Sequence, residues 1–273
     1  MEITWWGFAA LAAAAALVGF SKTAVSGANT VSLAVFAAVL PARGSTGVLL
    51  PLLIIGDVLA VLAYRRHAHW PTLWRLFPAV AAGVVAGAVF LLVADDAAVR
   101  TSIGAILLLM AGVTMWRRRD AGEGAKESGT TESGTTESAT GRSRAPNGPD
   151  GTASFGGRLM ARSYGVVSGF TTMVANAGGP VMSLYLLSAG FRKLGFLGTS
   201  AWFFLIVNTS KVPLSVGLGL IDKRSLLLDA ALVLFVVPGA LLGRACVNRI
   251  DQRLFERLVI AATVLGGLQL LLR

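Results

Sequence analysis

Long apolar stretches, separated by short polar ones, make up most of this 273-residue chain. Runs of about 20 apolar residues recur in both halves, which is the length that crosses a bilayer as an α-helix. Hydrophobic residues account for 55% of the chain and charged residues for 14%, whereas about a quarter of the residues in a soluble domain are charged. The pattern therefore predicts an all-α, polytopic helical membrane protein embedded in the lipid bilayer.

The apolar runs divide into about eight transmembrane helices, four on each side of a polar tract. The first span (about 4–40) and the fifth (about 159–190) are longer than the others and contain polar interruptions. Two full crossings need roughly 40 residues, so we expect each to be a single broken helix or a half-helix hairpin. The remaining spans are predicted at about 45–64, 70–93, 99–116, 195–220, 225–246 and 254–272.

The two sets of spans resemble copies of one unit. Gly19-Phe20-Ser21 recurs as Gly169-Phe170-Thr171, and Asp57 corresponds to Asn208. Many secondary transporters are built by such a duplication, with the substrate site where the copies meet. We therefore predict two repeated four-helix halves with broken first and fifth helices. Other matched positions are Ser32-Leu33 with Ser183-Leu184, Gly44 with Gly195, Gly47 with Gly198, Pro78 with Pro238 and Gly83 with Gly243.

A polar tract over residues 117–157 separates the two halves. It is rich in Ser, Thr, Gly and Glu and has very few apolar residues. Such a composition cannot bury enough surface to offset the entropy of ordering the chain. We predict a disordered linker between a first membrane repeat (1–116) and a second (158–273), with a regulatory tail as the alternative.

Charge and motifs exclude several classes of function. The net charge of +10 does not predict nucleic-acid binding, because Lys and Arg fall mainly in short loops, where they determine membrane topology. Cys246 is the single cysteine, so the sequence predicts neither a disulfide framework nor a thiolate metal site. A P-loop, a His-Glu-x-x-His and a Gly-x-Ser-x-Gly motif are all missing from the sequence. We expect no enzyme activity, no metal and no cofactor.

Loop charges predict an orientation. One face would hold 13 Lys and Arg residues, in 65–75, in the linker region and at 223–224, and the other face 8, at 43, 100, 192–193 and 244–257. The positive-inside rule then predicts a cytoplasmic linker. Eight crossings would put both termini on that face as well and make the repeats parallel. If the two broken segments re-enter the membrane instead of crossing it, this conclusion changes.

The two breaks are the first candidate site. Gly and Pro unwind a helix, and unwound backbone in a membrane is tolerated where protein or a water-filled cavity covers it. A helix that starts after a break also directs free N–H groups at an anion. The alternative is a plain kink whose small residues allow close helix packing. The candidate residues at the breaks are Ser21, Lys22, Asn29, Thr30, Asn176, Gly178, Gly179 and Pro180.

Charged residues inside the spans are the second candidate feature. Lys22 and Lys211 are lysines within predicted spans, and a charge near the bilayer centre costs at least about 2.5–3.5 kcal/mol. Asn208 and Lys211 are three residues apart and so share one helix face. Asp57 could couple transport to another ion or balance a lysine charge. The alternatives are snorkelling of Lys22 to the interface and a structural role for Asp57.

The second break, from Gly169 to Gly179-Pro180, together with Gly198-Thr199, Asn208 and Lys211, resembles the sulfite exporter TauE/SafE family. The resemblance implies a permease of the cell inner (plasma) membrane that moves sulfite or small organosulfur anions, usually outward. It also places Thr199 among the candidate substrate-binding residues. The first break departs from the family pattern, because it is poorer in glycine and contains Lys22. This departure bears on the identity of the substrate.

The combined hypothesis is a secondary transporter that exports a small anion such as sulfite or an organosulfonate. Alternating access would come from one four-helix half rocking against the other. A membrane partner or assembly subunit without its own transport activity is one alternative, and an intramembrane enzyme is another. The sequence predicts no particular oligomeric state.

Overall fold

The computed structural model describes residues 4–24, 29–40, 42–95 and 155–249, and the isolated positions 98, 251, 254 and 257. Across these residues the chain forms α-helices and one short 3-10 helix, Arg65–His67, with no strand. The all-α prediction is confirmed for this part of the chain. The helices are α1 (Trp5–Thr23), α2 (Asn29–Val39), α3 (Ala42–Tyr64), α4 (Trp70–Val93), α5 (Phe155–Ala175), α6 (Gly178–Ser188), α7 (Lys193–Gly217) and α8 (Lys223–Arg249).

Four segments of these helices are long and apolar enough to cross a membrane: Trp5–Thr23, Ser45–His67, Trp70–Val93 and Ser225–Val247. A multi-pass membrane protein follows from their number and hydropathy. The span predicted at 99–116 lies outside the described residues, as do most of the span at 254–272 and residues 117–154 of the predicted linker. Helix α5 begins at Phe155, so 155–157 are helical here.

Local signals set the starts of several helices. The side-chain oxygen of Thr4 accepts a hydrogen bond from the Gly7 N–H at 3.2 Å, which caps α1. Asp222 Oδ1 accepts a bond from the Ser225 N–H at 2.6 Å ahead of α8. Pro71 occupies the first turn of α4, where its missing N–H costs nothing. Helices α1 and α8 therefore begin at specific polar caps.

Glycines bring α1 and α8 into close parallel contact. A Cβ atom on Gly19 would overlap the backbone of Val236, and one on Gly243 would overlap Phe20 and Thr23. The Thr23 hydroxyl donates to the Ala240 carbonyl at 2.8 Å, which joins the two helices near the end of α1. Because later residues of α1 contact later residues of α8, the two helices run in the same direction.

Helices α4 and α5 form a second parallel pair of the same kind. A Cβ atom on Gly83 would overlap the backbone of Val166, and one on Gly169 would overlap Val80. Gly87, one turn further along α4, faces Met173, which lies further along α5. Glycine at these positions permits the close backbone approach that packs helices in a membrane.

Helices α3 and α7 cross the centre of the molecule and run antiparallel. Gly47, near the start of α3, contacts the Leu220 carbonyl just beyond the end of α7. Gly198, near the start of α7, contacts Tyr64 and His67 at the end of α3. Each helix therefore begins where the other ends.

The short helix α6 folds back along α5. Gly178 lies against Ser168 and Thr172 of α5, and the rings of Tyr185 and Tyr164 are 5.9 Å apart. As α6 advances it meets earlier residues of α5, so the pair forms a helical hairpin. Helix α2 likewise packs on α1. The interpretation of each pair as a half-helix hairpin in the membrane stays a prediction at this point. The same holds for the interpretation of the two halves as repeats.

Two large hydrophobic clusters and a small one fill the interior of the described structure, and neither large cluster follows the division of the sequence into halves. The small cluster joins α3 to α7 through Ala60, Val61 and Ala201. The first large cluster contains residues of α1, α2, α3 and α8, such as Val18, Phe36 and Val236. The second large cluster contains residues of α4, α5, α6 and α7, such as Leu76 and Phe203. Each large cluster therefore combines helices from both halves, and the polar residues discussed below lie at their boundary.

Candidate functional site

A buried ion pair joins α1 to α3. Lys22 Nζ lies 2.7 Å from Asp57 Oδ1, and the side chains are 8% and 1% exposed. The same ammonium group stands 4.3 Å from the centre of the Phe204 ring, a cation–π distance. Lys22 therefore points inward to the middle of α3 rather than outward to the interface, which argues against snorkelling.

Asp57 also links α3 to α7. Asn208 Nδ2 donates a hydrogen bond of 2.7 Å to Asp57 Oδ2, so each carboxylate oxygen has one partner. Asn208 Oδ1 is buried and has no partner among the described residues. Because the Nδ2 group is held by the carboxylate, this amide oxygen is directed away from Asp57. The two matched positions of the sequence thus contact each other directly.

Lys211 is buried within a set of neutral oxygen atoms. Its Nζ atom donates to the Thr172 carbonyl at 2.6 Å and to Asn176 Oδ1 at 2.6 Å, and Thr172 Oγ1 lies at 3.4 Å. Three acceptors match the three N–H donors of an ammonium group. Lys211 is 1% exposed, and no carboxylate contacts its Nζ atom within the described part of the chain. Its positive charge is therefore solvated by dipoles and not cancelled.

The turn between α5 and α6 brings these acceptors into place. Asn176 has φ = 53°, a left-handed conformation that Asn tolerates better than most residues. Its N–H and that of Ala177 bond back to the carbonyls of Thr172 and Thr171, which closes the end of α5. Asn176 Nδ2 donates to the Thr46 carbonyl of α3 at 3.1 Å. The side chain is thereby oriented with Oδ1 towards Lys211.

A small cavity lies among these groups, with room for about one water molecule. Both hairpins and both central helices contribute to its wall. The starts of α2 and α6 are part of that wall through Asn29 and Gly179. Asn29 Oδ1 is buried without a partner in the described structure. The lining residues are Lys22, Asn29, Leu53, Thr172, Asn176, Gly179, Phe204 and Asn208.

The predicted site residues fall into two groups. Lys22, Asn29, Asn176, Gly179 and Asn208 line the cavity, while Asp57 and Lys211 contact residues that line it. Among the other described candidates, Ser21, Gly178 and Pro180 are buried but do not line the cavity. Thr199 also lies elsewhere, since its Oγ1 accepts a hydrogen bond from the His69 N–H at 3.0 Å. The side chain of Thr30 is outside the described structure.

Three lining residues were missed by the sequence analysis: Leu53, Thr172 and Phe204. Thr172 supplies its carbonyl to Lys211, and Phe204 stacks near Lys22. The sequence contains a signal for Thr172, because the matched motifs align it with Lys22 of the other half. Phe204 lies among many aromatic residues, and nothing in its local pattern distinguishes it.

Comparison with known proteins identifies the family. A family model described as sulfite exporter TauE/SafE matches residues 11–270, nearly the whole chain. The chain belongs to the TauE/SafE family. The resemblance seen in the sequence motifs is thereby confirmed, although no curated protein and no solved structure matches the chain. TauE/SafE proteins form a family of membrane transporters and not of enzymes, which agrees with the apolar helices of this chain.

Proposed function

We propose that this TauE/SafE protein is a secondary transporter that exports a small anion, such as sulfite or an organosulfonate, across the plasma membrane. One observation carries the proposal: two buried lysines and only one carboxylate surround the cavity within the described structure. Lys22 is paired with Asp57, whereas Lys211 contacts neutral oxygens. An uncompensated charge is costly in a bilayer, and residues that carry one generally serve function.

The charge balance favours a substrate with one negative charge. With Asp57 ionised and both lysines protonated, the described groups around the cavity carry one net positive charge. A monoanion would neutralise this charge without displacing Asp57 from Lys22. Lys211 already has three oxygen neighbours, so the substrate would exchange with one of them, such as Asn176 Oδ1.

Two helix starts add to the positive potential. Helices α2 and α6 each have 11 residues and begin at Asn29 and Gly178. Asn29 and Gly179, in the first turns of these helices, line the cavity. The first N–H groups of a helix have no intrahelical acceptor, and the helix dipole places partial positive charge there. Phosphate and related oxyanions bind such helix starts in many proteins. The combination of two helix starts and two ammonium groups is suited to an oxyanion.

The size of the cavity indicates a closed state of the site. Room for about one water molecule is too little for sulfite or a sulfonate. Binding therefore requires the hairpins or the central helices to separate, as expected of a carrier that exposes its site to one side at a time. We assign this arrangement to an occluded conformation of the transporter.

The unpaired amide oxygen of Asn208 narrows the substrate class further. This oxygen accepts hydrogen bonds and cannot donate any. A monoanion that also carries an O–H group, such as hydrogen sulfite, would satisfy it, whereas a sulfonate has no such donor. We therefore place hydrogen sulfite ahead of alkyl sulfonates as the substrate.

Asp57 is the proposed coupling residue. It holds both Lys22 and Asn208, so any movement of α1 against α7 changes the surroundings of its carboxylate. A carboxylate that loses both partners in a membrane is costly unless it takes up a proton or another cation. Asp57 could in this way link the position of the hairpin to cation uptake.

The test is sulfite flux in proteoliposomes that contain Lys211→Met. We expect flux to fall to the level of empty liposomes, while the variant still unfolds cooperatively in detergent. Lys193→Met is the matched control on the same helix, because Lys193 Nζ bonds the Val247 carbonyl away from the cavity. The control should keep most of the wild-type flux.

Two results would count against the proposal. Wild-type flux in Lys211→Met would remove this lysine from the site. No flux by the wild-type protein alone, combined with constant co-purification of another membrane protein, would favour the assembly subunit instead.

A further inference from the structure

We infer that the two halves of the chain form an inverted repeat, related by an approximate two-fold axis that lies in the membrane plane and passes between Asp57 and Asn208. In this arrangement the two hairpins enter the membrane from opposite faces. The inference does not depend on which substrate is carried, because it rests on the contacts between matched residues.

The contact between Asp57 and Asn208 locates the axis. These residues are matched in the duplicated sequence, and their side chains are hydrogen-bonded at 2.7 Å. A two-fold rotation brings a residue next to its own counterpart only where both lie close to the axis. The pair lies in the middle of α3 and α7, so the axis crosses the centre of the molecule.

The antiparallel course of α3 and α7 sets the direction of the axis. The matched glycines Gly47 and Gly198 make matched contacts: Gly47 meets Leu220 beyond the end of α7, and Gly198 meets His67 beyond the end of α3. A two-fold axis that reverses the direction of a helix is perpendicular to it. Because α3 crosses the membrane, the axis lies in the membrane plane.

The parallel helix pairs obey the same rotation. Gly19 of α1 contacts α8, and its counterpart Gly169 of α5 contacts α4. Gly243 of α8 contacts Phe20, and its counterpart Gly83 of α4 contacts Phe170. The α1–α8 pair therefore maps onto the α5–α4 pair, which makes four independent sets of contacts related by a single operation.

The direction of each helix then fixes the membrane face of each loop. We name the face at the end of α3 the His67 face and the opposite one the Gly47 face. Helix α4 starts on the His67 face, and α5, parallel to it, starts there too. Helix α8 starts on the Gly47 face, and α1, parallel to α8, starts there as well. The two halves therefore begin on opposite faces, and the parallel arrangement expected from eight crossings is replaced.

The distribution of charge supports this assignment independently. If the span predicted at 99–116 crosses the membrane, the loops of the His67 face collect 17 Lys and Arg residues, at 65–75, 117–162, 192–193 and 244–257, and those of the Gly47 face 4, at 43, 100 and 223–224. The C-terminal Arg273 is in neither count. The sequence-based grouping gave 13 against 8. A stronger asymmetry is what the positive-inside rule requires, so we assign the His67 face to the cytoplasm.

Single-cysteine labelling tests the topology in the full-length protein. In a Cys246→Ser background, Thr4→Cys and Asp222→Cys report on the Gly47 face, and Ser133→Cys and Arg249→Cys on the His67 face. We expect a membrane-impermeant maleimide to label the first pair in intact cells and the second pair only after permeabilisation. Unfolding temperatures close to that of the background protein show that each variant is folded.

The arrangement with eight crossings makes the opposite prediction, because it puts Thr4 and Asp222 on the same face as Ser133. Labelling of Thr4→Cys and Ser133→Cys under the same condition would overturn the inverted repeat. Labelling of the Ser133→Cys and Arg249→Cys pair in intact cells, with the other pair protected, would overturn the cytoplasmic assignment of the His67 face.

Discussion

The two halves hold their buried lysines in different ways. In the first half the lysine, Lys22, lies on α1, and it faces the carboxylate of Asp57 on the central helix α3. In the second half the lysine lies on the central helix, and the hairpin offers the neutral oxygens of Thr172 and Asn176. In the inverted repeat inferred above, the scaffold is repeated but the charges are not. One lysine is paired with a carboxylate, and the other contacts neutral oxygens.

Removal of Asp57 should have the largest effect on stability. Asp57→Ala leaves Lys22 buried without its carboxylate, and breaking a buried ion pair costs about 3–5 kcal/mol of unfolding free energy. Asn208→Ala, at the matched position, removes one hydrogen bond to a carboxylate and should cost about 1–3 kcal/mol. Thermal unfolding of the purified variants measures the difference. Equal losses at the two positions would mean that the halves do not differ in the way described.

Substitution of the matched glycines should lower the stability of the protein equally in both halves, unlike substitution of Asp57 and Asn208. Gly19→Ala and Gly169→Ala each place a methyl group against the backbone of a neighbouring helix, and overpacking costs about 1–3 kcal/mol. Gly217→Ala is the control, because nothing lies within 4 Å of the added carbon, and it should be neutral or slightly stabilising. A loss at only one of the two matched glycines, measured by the same thermal unfolding, would contradict the symmetric packing.

The smallest expected effect concerns the choice of substrate. Unlabelled sulfite, which in neutral solution contains hydrogen sulfite, should inhibit the flux of labelled sulfite about three- to tenfold better than methanesulfonate does, since one hydrogen bond to Asn208 contributes about 0.5–1.5 kcal/mol. Asn208→Leu should abolish this preference, which separates the hydrogen bond from an effect of size. If the preference survives in the variant, exclusion of the methyl group explains it instead.

Sequence reasoning could identify the buried polar residues because polar groups are conspicuous in membrane spans. Lys22, Asp57, Asn208 and Lys211 stand out in apolar spans, and the structure brings all four to one place. The class of fold also followed from the length and hydropathy of the runs. These features are local, so each can be recognised without knowing what the residue contacts.

The relations between helices could not be predicted in the same way. The sequence matched Asp57 with Asn208, but a match does not tell whether two residues touch. The glycines predicted close helix packing but did not identify the helix that each one packs against. The breaks were compatible with both a kink and a hairpin. Thr199 was carried over from the family pattern, and it contacts the loop at His69 instead of the cavity. Directions and neighbours of helices depend on contacts across the whole chain.

The two large hydrophobic clusters determine how such a protein can open. Each large cluster contains one long helix from the other half of the sequence: α8 in the first and α4 in the second. If the halves separated as rigid units, the contacts of α1 with α8 and of α4 with α5 would be lost. We expect opening to occur at the boundary between the two large clusters, where α3 and α7 are joined by the small third cluster and by the Asp57–Asn208 hydrogen bond. In the described structure the chain crosses this boundary in two short connections, at 65–69 and at 218–222. We expect these two segments to act as hinges when the clusters move apart.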